Sequence, residues 1–348
     1  HIDNGGLLKV GPRSAGAFPG PVCYGKGNAE PTVTDANVVL GRLNPEFLLG
    51  GRMPIQRELA VEAIRRLAEP LGLDLMAAAH GIIAVATANM AKAIRVVSVQ
   101  RGYDPRDYAL FAFGGAGPLH AARLARELDV ETVLVPPTPG ALCAMGLLMT
   151  DLRTDFMRAC LLDLAPDSVP LLQEAFQDLR AQADAWFRDE GILDAARAVS
   201  MTADMRYAGQ NYELSLPLSG DVARLDLDQL RTGFEEIHRR QYGFAAEGER
   251  IQIVTCRLTA FGRMEKISLP ELPASTQSAE AAVIGHRDVW FAEAGGALRT
   301  PIYERSKLTA SSALVGPAII EQMDTTTVVL PGMSCHVDTR GNLILKNS

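Results

Sequence analysis

Hydrophobic residues recur at helical spacing in two long stretches of the first half of the chain. Apolar residues three and four positions apart predict a helix that begins near Gln56 and ends at the stop formed by residues 70–72. An alanine-rich run over 75–97 predicts a second helix. Its small residues cover most faces, which indicates a buried helix, and we expect His80 on this run to be a satisfied core residue.

The first fifty residues have a different pattern, in which many Gly and Pro residues separate scattered apolar side chains. Gly and Pro interrupt regular elements, whereas the apolar residues favour packing against a core, so we expect an ordered loop. A short helix is predicted over 35–43, with Thr34 or Asp35 as its N-cap.

A strand, a turn, a helix and a second strand follow one another in the middle of the chain. The apolar run 108–113 predicts the first strand, and the glycine-rich residues 114–117 predict the turn. The helix is expected over 118–128 and the second strand over 132–135. This order is that of a βαβ crossover, which predicts an α/β fold with a parallel sheet.

Beyond residue 150 the pattern changes again. A boundary is expected between 151 and 168, followed by an amphipathic helix over 169–190 and one further helix over 227–241. Runs rich in β-branched residues predict strands at 198–207, 211–217, 251–261, 289–291 and 318–330. This half therefore reads as α+β with a mixed or antiparallel sheet.

Composition narrows the class of protein. The chain of 348 residues has 34 Lys and Arg against 41 Asp and Glu, a net charge of −7, which argues against nucleic acid as a partner. The apolar run 75–94 is interrupted by His80, Asn89 and Lys92, so we expect no membrane span. Five scattered Cys residues without a C-x-x-C pair, and no recognisable signal peptide, favour a cytoplasmic protein with reduced thiols.

The turn formed by Gly114, Gly115, Ala116 and Gly117 is the strongest candidate binding element. Glycines between a strand and a helix allow a ligand to approach the backbone, and the helix N-terminus presents N–H groups and partial positive charge. The alternative is a glycine turn that serves only to reverse the chain. His120 lies on the first turn of that helix, where it is either a ligand contact or a structural residue bonded to a neighbouring loop.

The other motifs give weaker evidence for a functional site. Residues 20–26 fit the start of a phosphate-binding P-loop, but Gly27 stands where Ser or Thr is needed and no strand precedes the segment. Cys23 is more simply a packed thiol than a nucleophile. The sequence has no G-x-S-x-G elbow, and its histidines lack metal-ligand spacing, so we predict neither a catalytic residue nor a metal site.

Five segments taken together resemble the hydantoinase A and 5-oxoprolinase family, which also includes subunits of acetone and acetophenone carboxylases. They occupy residues 11–45, 111–130, 206–214, 234–244 and 316–332. The resemblance implies the C-terminal part of an actin-like, ribonuclease-H-like ATPase domain at 1–155, followed by an α+β domain at 156–348. It also implies ATP and Mg²⁺ as cofactors, with Gly114, Gly115, Ala116 and Gly117 on the adenosine side of the nucleotide.

The sequence departs from the family pattern in one respect. No Asp-Gly-Gly-Thr loop, the element that holds magnesium and phosphates in such folds, occurs in the 348 residues. The chain therefore resembles the C-terminal portion of the family, and we expect it not to hydrolyse ATP alone.

The function implied is that of the nucleotide-handling subunit of an ATP-dependent enzyme that opens a small cyclic amide such as hydantoin, N-methylhydantoin or 5-oxoproline. A hydantoinase B-type subunit is the expected partner, in an oligomeric assembly. Two alternatives stay open at this point: a subunit of an ATP-dependent ketone carboxylase, and a non-catalytic assembly module whose glycine turn is only packing.

Overall fold

The chain folds into two units, and the first is built from two separate stretches of sequence. A computed structural model describes residues 1–218, 225–246, 248–266, 270–273 and 277–347. The first unit, here the glycine-turn unit, comprises His1–Met145 and Ser268–Ser348. The second, here the inserted unit, is Gly146–Ile267. Residues 268–348 thus belong to the same compact unit as residues 1–145. The division at 155/156 expected from the sequence stays a prediction about family domains.

The helices and strands are numbered in chain order. The helices are α1 (Val33–Val39), α2 (Arg57–Ala68), α3 (Leu75–Val97), α4 (Gly117–Glu127), α5 (Leu142–Leu148), α6 (Ser168–Asp189) and α7 (Leu227–Tyr242). The strands are β1 (Phe47–Leu48), β2 (Met53–Pro54), β3 (Leu110–Phe111), β4 (Thr132–Val135), β5 (Leu152–Asp163), β6 (Arg197–Tyr207), β7 (Leu214–Leu218), β8 (Ile251–Gly262), β9 (Val283–Phe291), β10 (Gly296–Glu304), β11 (Ala313–Val315), β12 (Ala318–Glu321), β13 (Thr326–Val329), β14 (Met333–Val337) and β15 (Leu343–Asn347).

A five-stranded sheet in the order β11-β14-β15-β4-β3 carries the predicted crossover. Strands β3 and β4 pair in parallel, as a βαβ crossover requires, with α4 between them in sequence. The parallel pairing predicted from the sequence is thus present between β3 and β4, but the sheet as a whole is mixed, because β15 pairs antiparallel with β4. Leu343 and Leu345 of β15 are fully buried, so this strand covers an edge of β4 that would otherwise be exposed.

A second sheet in the glycine-turn unit has the order β13-β12-β10-β9. Strands β10 and β12 are parallel, and the other two pairings are antiparallel. The predicted strand 318–330 is interrupted, since residues 322–325 form a turn between β12 and β13. That turn contributes to the candidate site described below.

The inserted unit has one antiparallel sheet in the order β5-β8-β6-β7, with α6 packed against β8 and β5. Phe176, Leu179 and Phe187 project from α6 into its core and are no more than 2% exposed. The α+β character expected for this region is observed. The segment 151–168, expected to be a boundary, instead contains strand β5, Leu152–Asp163.

The observed helices agree with the predicted ones except at some ends. The helix predicted at 35–43 is α1, and its N-cap is Thr32 rather than Thr34 or Asp35. The Thr32 hydroxyl accepts a hydrogen bond from the Asp35 N–H, and the Asp35 carboxylate accepts one from the Thr32 N–H, a reciprocal capping box. The strand predicted at 108–113 spans only β3.

Helix α3 is the alanine-rich helix predicted from sequence. Ala78, Ala79, Ile83 and Ala91 on one of its faces are fully buried in the core of the glycine-turn unit. The run Leu75–Arg101 is long and apolar enough to pass a membrane-span test by length and composition alone, a test that core helices also pass.

Candidate functional site

The predicted glycine turn lies between the end of β3 and the start of α4. Ala112 extends the pairing with β4 by donating its N–H to the Leu134 carbonyl at 2.8 Å. The Gly114 N–H donates to the Pro139 carbonyl at 2.7 Å, and Gly114 has a φ of 82°, a conformation that favours glycine. Helix α4 begins at Gly117, after an N-cap, Ala116, whose side chain offers no acceptor.

The turn between β12 and β13, residues 322–325, holds the glycine turn from the other side. The Thr325 hydroxyl donates to the Gly115 carbonyl at 2.7 Å. The Asp324 carboxylate accepts from the Gly140 N–H at 2.8 Å and from the Gln322 side-chain amide at 2.6 Å. Two segments that are about two hundred residues apart in sequence are therefore joined by side-chain hydrogen bonds.

Glycine is required at position 140 because Asp324 lies so close. A Cβ at this position would lie 2.6 Å from Asp324 Oδ2 and 2.9 Å from Asp324 Cβ, well inside contact distance. At Gly115 the space is less restricted, since a Cβ there would meet the Asp324 carbonyl oxygen at 3.4 Å.

These two turns form one side of a cavity of about 670 Å³ in the glycine-turn unit. Its size falls within the range of about 300–1,000 Å³ that is usual for small-molecule sites. The residues that line it are Tyr24, Thr34, Leu43, Asn44, Phe47, Leu48, Leu49, Gly50, Gly115, Ala116, Leu119, Ile284, Glu304, Glu321, Gln322, Met323, Asp324, Thr325 and Thr326.

The charged residues in the described lining of the cavity are all acidic. Three of these residues, Glu304, Glu321 and Asp324, are acidic, and none of those in the described part of the chain is Lys, Arg or His. Glu321 is balanced by an ion pair of 2.9 Å with Arg287, and Asp324 by the two hydrogen bonds given above. The cavity therefore favours an uncharged ligand with hydrogen-bond donors over a phosphate group.

Apolar side chains form another part of the cavity lining. The segment around the β1–β2 hairpin supplies Phe47, Leu48 and Leu49, of which Leu49 is 51% exposed. Met323, 55% exposed, reaches toward the same hairpin, so that a Cβ added at Gly50 would lie 3.5 Å from its Cγ. Exposed apolar groups at a cavity mouth can bind a flat apolar or aromatic ligand.

Asp35 organises the loop that brings Tyr24 to the cavity. Its fully buried carboxylate accepts hydrogen bonds from the N–H groups of Val22 at 3.1 Å and Cys23 at 2.8 Å. Burial, and secondly the Asp35 charge, raises the pKa of the Cys23 thiol far above its ordinary value. A thiol held protonated in this way is a packed side chain and not a nucleophile.

Only some of the site residues predicted from the sequence line the cavity. Gly115 and Ala116 line the cavity, Gly114 anchors the turn to Pro139, and Gly117 begins α4. His120 is 7% exposed and lies in a buried cluster with Arg42 and Arg123, whereas the neighbouring Leu119 reaches the cavity. Burial, with the charges of the two arginines, lowers the pKa of His120 to about 4, so the imidazole is neutral near pH 7.

The residues of the 322–326 segment were not recognised from sequence as part of a site. Gln322, Asp324 and Thr325 were noted only within a segment that carried the family resemblance. The polar run inside a β-rich segment was the available signal, since it marks a turn between two strands. Which other turn it meets depends on how the sheets pack.

In the described part of the chain, no group of three or more His, Cys, Asp or Glu side chains is arranged to hold a metal ion. The carboxylates of the cavity are engaged with Arg287, Gln322, Gly140 and Ser306. The described residues therefore provide no ligand set that fits Mg²⁺.

Comparison with known proteins identifies the family. The family model "Hydantoinase/oxoprolinase" matches residues 1–156, and the model "Hydantoinase/oxoprolinase C-terminal domain" matches residues 165–347. The chain belongs to the hydantoinase/oxoprolinase family. This membership confirms the resemblance found in the sequence.

Members of the hydantoinase/oxoprolinase family with known activities include both amide hydrolases and carboxylases. The chain is 38% identical over 343 residues to the caprolactamase subunit alpha of Pseudomonas jessenii, covering 97% of this chain and 49% of that one. It is 36% identical over 360 residues to the acetophenone carboxylase gamma subunit of Aromatoleum aromaticum, covering 99% and 49%. This hydantoinase/oxoprolinase chain thus spans about half the length of the curated relatives it matches.

Two solved structures share its fold. The ATP-dependent caprolactamase from Pseudomonas jessenii matches with a TM-score of 0.77 at 38% identity, over 100% of this chain and 51% of that one. A nucleotide-free structure of acetone carboxylase matches with a TM-score of 0.87 at 27% identity, over 100% and 51%. The predicted α/β fold class, that of the hydantoinase family, is confirmed by these matches.

Proposed function

We propose that the chain is the nucleotide-handling part of an ATP-dependent enzyme that opens a small cyclic amide, and that its cavity receives the nucleoside end of ATP. The observation that carries the proposal is the cavity at the glycine turn, which has the size of a nucleoside site and three carboxylates in its lining.

The character of the lining supports a nucleoside and not a phosphate. Ribose hydroxyls and the adenine amino group are hydrogen-bond donors, which carboxylate oxygens accept. The apolar residues Phe47, Leu49 and Met323 provide a surface on which a flat base can lie. Phosphates require cationic groups or several N–H donors, and the described lining of this cavity has no cationic side chain.

The role of ATP follows from the chemistry of the substrate. A cyclic amide is stabilised by resonance, and transfer of a phosphoryl group to the amide oxygen supplies a leaving group and makes the ring carbon accept water. Such transfer depends on positioning and on neutralising the phosphate charge. The residues described here can position the nucleoside, and the resemblance assigns magnesium and the phosphates to loops outside these 348 residues.

The substrate class and the partner rest on the relatives. The 38% identity to the alpha subunit of a caprolactamase favours a lactam or a related cyclic amide as substrate. That relative and the acetophenone carboxylase gamma chain are both named as subunits, which supports an assembly with a second, B-type subunit. We propose a cytoplasmic location, consistent with the reduced cysteines.

A ketone carboxylase subunit is the second candidate. The higher of the two TM-scores, 0.87, is to acetone carboxylase, and the acetophenone carboxylase gamma subunit is 36% identical. The two candidates differ in what they consume. The assembled enzyme should be tested separately with hydantoin, 5-oxoproline, caprolactam, and ketone plus bicarbonate. If the first candidate is correct, the enzyme should hydrolyse ATP only when a cyclic amide is supplied.

The nucleoside assignment can be tested on the 348-residue chain by isothermal titration calorimetry. We expect adenosine and ATP to bind with Kd values within about threefold of each other, because the described lining of the cavity offers the phosphates no cationic side chain. A threefold difference in Kd is less than about 1 kcal/mol in binding free energy. Inorganic tripolyphosphate should not compete. Preference for ATP over adenosine by more than about tenfold would contradict the assignment. Gly115→Val should abolish binding, with Gly146→Ala as the matched control.

A further inference from the structure

A buried guanidinium next to the cavity wall has two nitrogen atoms without an acceptor among the residues that the structure describes. Arg42 is 2% exposed, and its Nε and Nη2 atoms are buried with no hydrogen-bond partner among the described residues. A guanidinium stays protonated in a protein, so its positive charge must be compensated by an anionic or hydrogen-bond-accepting group. Burial of an unpaired charge is among the most costly arrangements in a fold.

The groups around Arg42 add positive charge and further buried polar atoms without a partner among the described residues. The Nε of Arg123 and the Nε2 of His80 are also buried without a partner among the described residues. Burial, and secondly the Arg123 charge, lowers the pKa of Arg42 to about 10. Glu293 is the carboxylate that acts on Arg42 in the opposite direction.

Glu293 is already engaged. Its carboxylate forms ion pairs with Arg123 at 3.0 Å and with Arg126 at 3.3 Å. Burial lowers the pKa of both His80 and His120, so both are neutral near pH 7 and do not change the net charge of the cluster. Three guanidinium groups therefore share one carboxylate in this cluster.

We propose that Arg42, with His80 and Arg123 beside it, binds one small inorganic anion of about the size of chloride. The anion would accept hydrogen bonds from the Nε and Nη2 atoms of Arg42 and would offset the excess positive charge. The size follows from burial: Arg42 is enclosed within the glycine-turn unit, so a larger anion such as a nucleotide phosphate does not reach it.

The anion site is separate from the proposed nucleoside site but adjoins it. Leu43 and Leu119, the chain neighbours of Arg42 and His120, line the cavity. An anion bound to Arg42 would therefore stabilise the wall that these two leucines form. The proposal does not depend on nucleotide binding, and it stands if the cavity takes another ligand.

Bromide in place of chloride tests the site directly. Crystals of the wild-type chain grown or soaked in sodium bromide should give an anomalous peak within about 3.5 Å of the Arg42 guanidinium. An ordered water there, with no anomalous signal at a wavelength at which bromide elsewhere is detected, would overturn the proposal. This measurement needs no variant, so it holds even if changes at Arg42 prevent folding.

Thermal unfolding gives an independent test in solution. At constant ionic strength, replacing gluconate by chloride should raise the Tm of the wild-type chain by about 3 °C for each tenfold of chloride above its Kd. Arg42→Met should remove this dependence, and Arg299→Met, which changes an arginine with a 68% exposed side chain, should keep it. An equal response of wild type and Arg42→Met would contradict the proposal.

Discussion

The hydroxyl of Thr325 donates a hydrogen bond of 2.7 Å to the carbonyl of Gly115, and so ties the turn between β12 and β13 to the turn that begins α4. Thr325 is 6% exposed whereas Gly115 is exposed, so the bond is partly buried. The glycine turn is thus held by a residue 210 positions away in sequence.

Replacing Thr325 by Val tests that bond, because Val keeps the shape of Thr and removes the hydroxyl. We expect Thr325→Val to lower the free energy of unfolding by about 1 kcal/mol, since the Gly115 carbonyl loses a donor. Adenosine affinity should fall as well, because the turn is less firmly held. Urea unfolding and calorimetry measure the two effects.

Thr327 offers a matched control for that change. It is fully buried on β13, and its hydroxyl has no hydrogen-bond partner among the described residues. Thr327→Val should therefore be neutral or should stabilise the chain by up to about 1 kcal/mol. If both variants lost the same stability, the bond between Thr325 and Gly115 would not be the cause.

Substitution of Gly140 should displace Asp324. The new Cβ of Gly140→Ala would lie 2.6 Å from Asp324 Oδ2, so the carboxylate must move and its bond from the Gly140 N–H is broken. We expect a loss of about 1–3 kcal/mol in stability, measured by urea unfolding. Gly146→Ala, inside α5 with nothing within 4 Å of the new Cβ, should instead gain about 0.5–1 kcal/mol. Equal stability of the Gly140→Ala variant and the wild type would show that the contact is relieved at no cost.

Burial of His120 makes stability depend on pH in a defined window. Its pKa is about 4 in the folded chain and about 6.5 in the unfolded chain, so the unfolded chain binds more protons between these values. Stability should therefore fall as the pH drops below about 6.5, by roughly 2 kcal/mol between pH 7.5 and pH 5 from this residue alone. The loss levels off only below about pH 4, where His120 becomes protonated in the folded chain as well.

Unfolding in urea at several pH values measures this effect. His120→Gln should show a shallower dependence between pH 7.5 and pH 5 than the wild type. His336→Gln, which changes an exposed histidine on β14, should keep the wild-type profile. A His120→Gln profile parallel to that of the wild type would show that His120 titrates alike in both states.

The inserted unit contains a buried carboxylate whose removal should be costly. Asp204 on β6 is 3% exposed and accepts hydrogen bonds from Ser215 at 2.6 Å and from the Arg257 Nε at 2.5 Å. Asp204→Ala should lower the free energy of unfolding by about 1–2 kcal/mol through the two lost hydrogen bonds, because Ser215 and the 42% exposed Arg257 side chain can bond water instead. Asp184→Ala, which breaks an exposed pair with Arg180 on α6, should cost less than about 0.5 kcal/mol. Near-equal losses in the two variants would contradict this reasoning.

Most of the helices and the local βαβ unit can be predicted from the amino-acid sequence alone. The period of the apolar residues and the Gly and Pro stops fix α2, α3, α4 and α6 within a few residues, because these signals act over one or two turns of chain. The long motifs also indicated the family, which the comparisons confirm. Likewise the glycine turn was identified as a candidate site, and ligand binding there stays a proposal.

Which distant segments meet becomes visible only in the folded chain. The pairing of β15 with β4, the bond from Thr325 to Gly115 and the enclosure of Arg42 each join residues far apart in sequence. Such contacts depend on how sheets and helices pack, and periodicity reports only whether a residue is buried, not against what. The cavity, with its acidic and apolar lining residues, forms where residues from 1–145 and from 268–348 come together, so no local sequence pattern could show it.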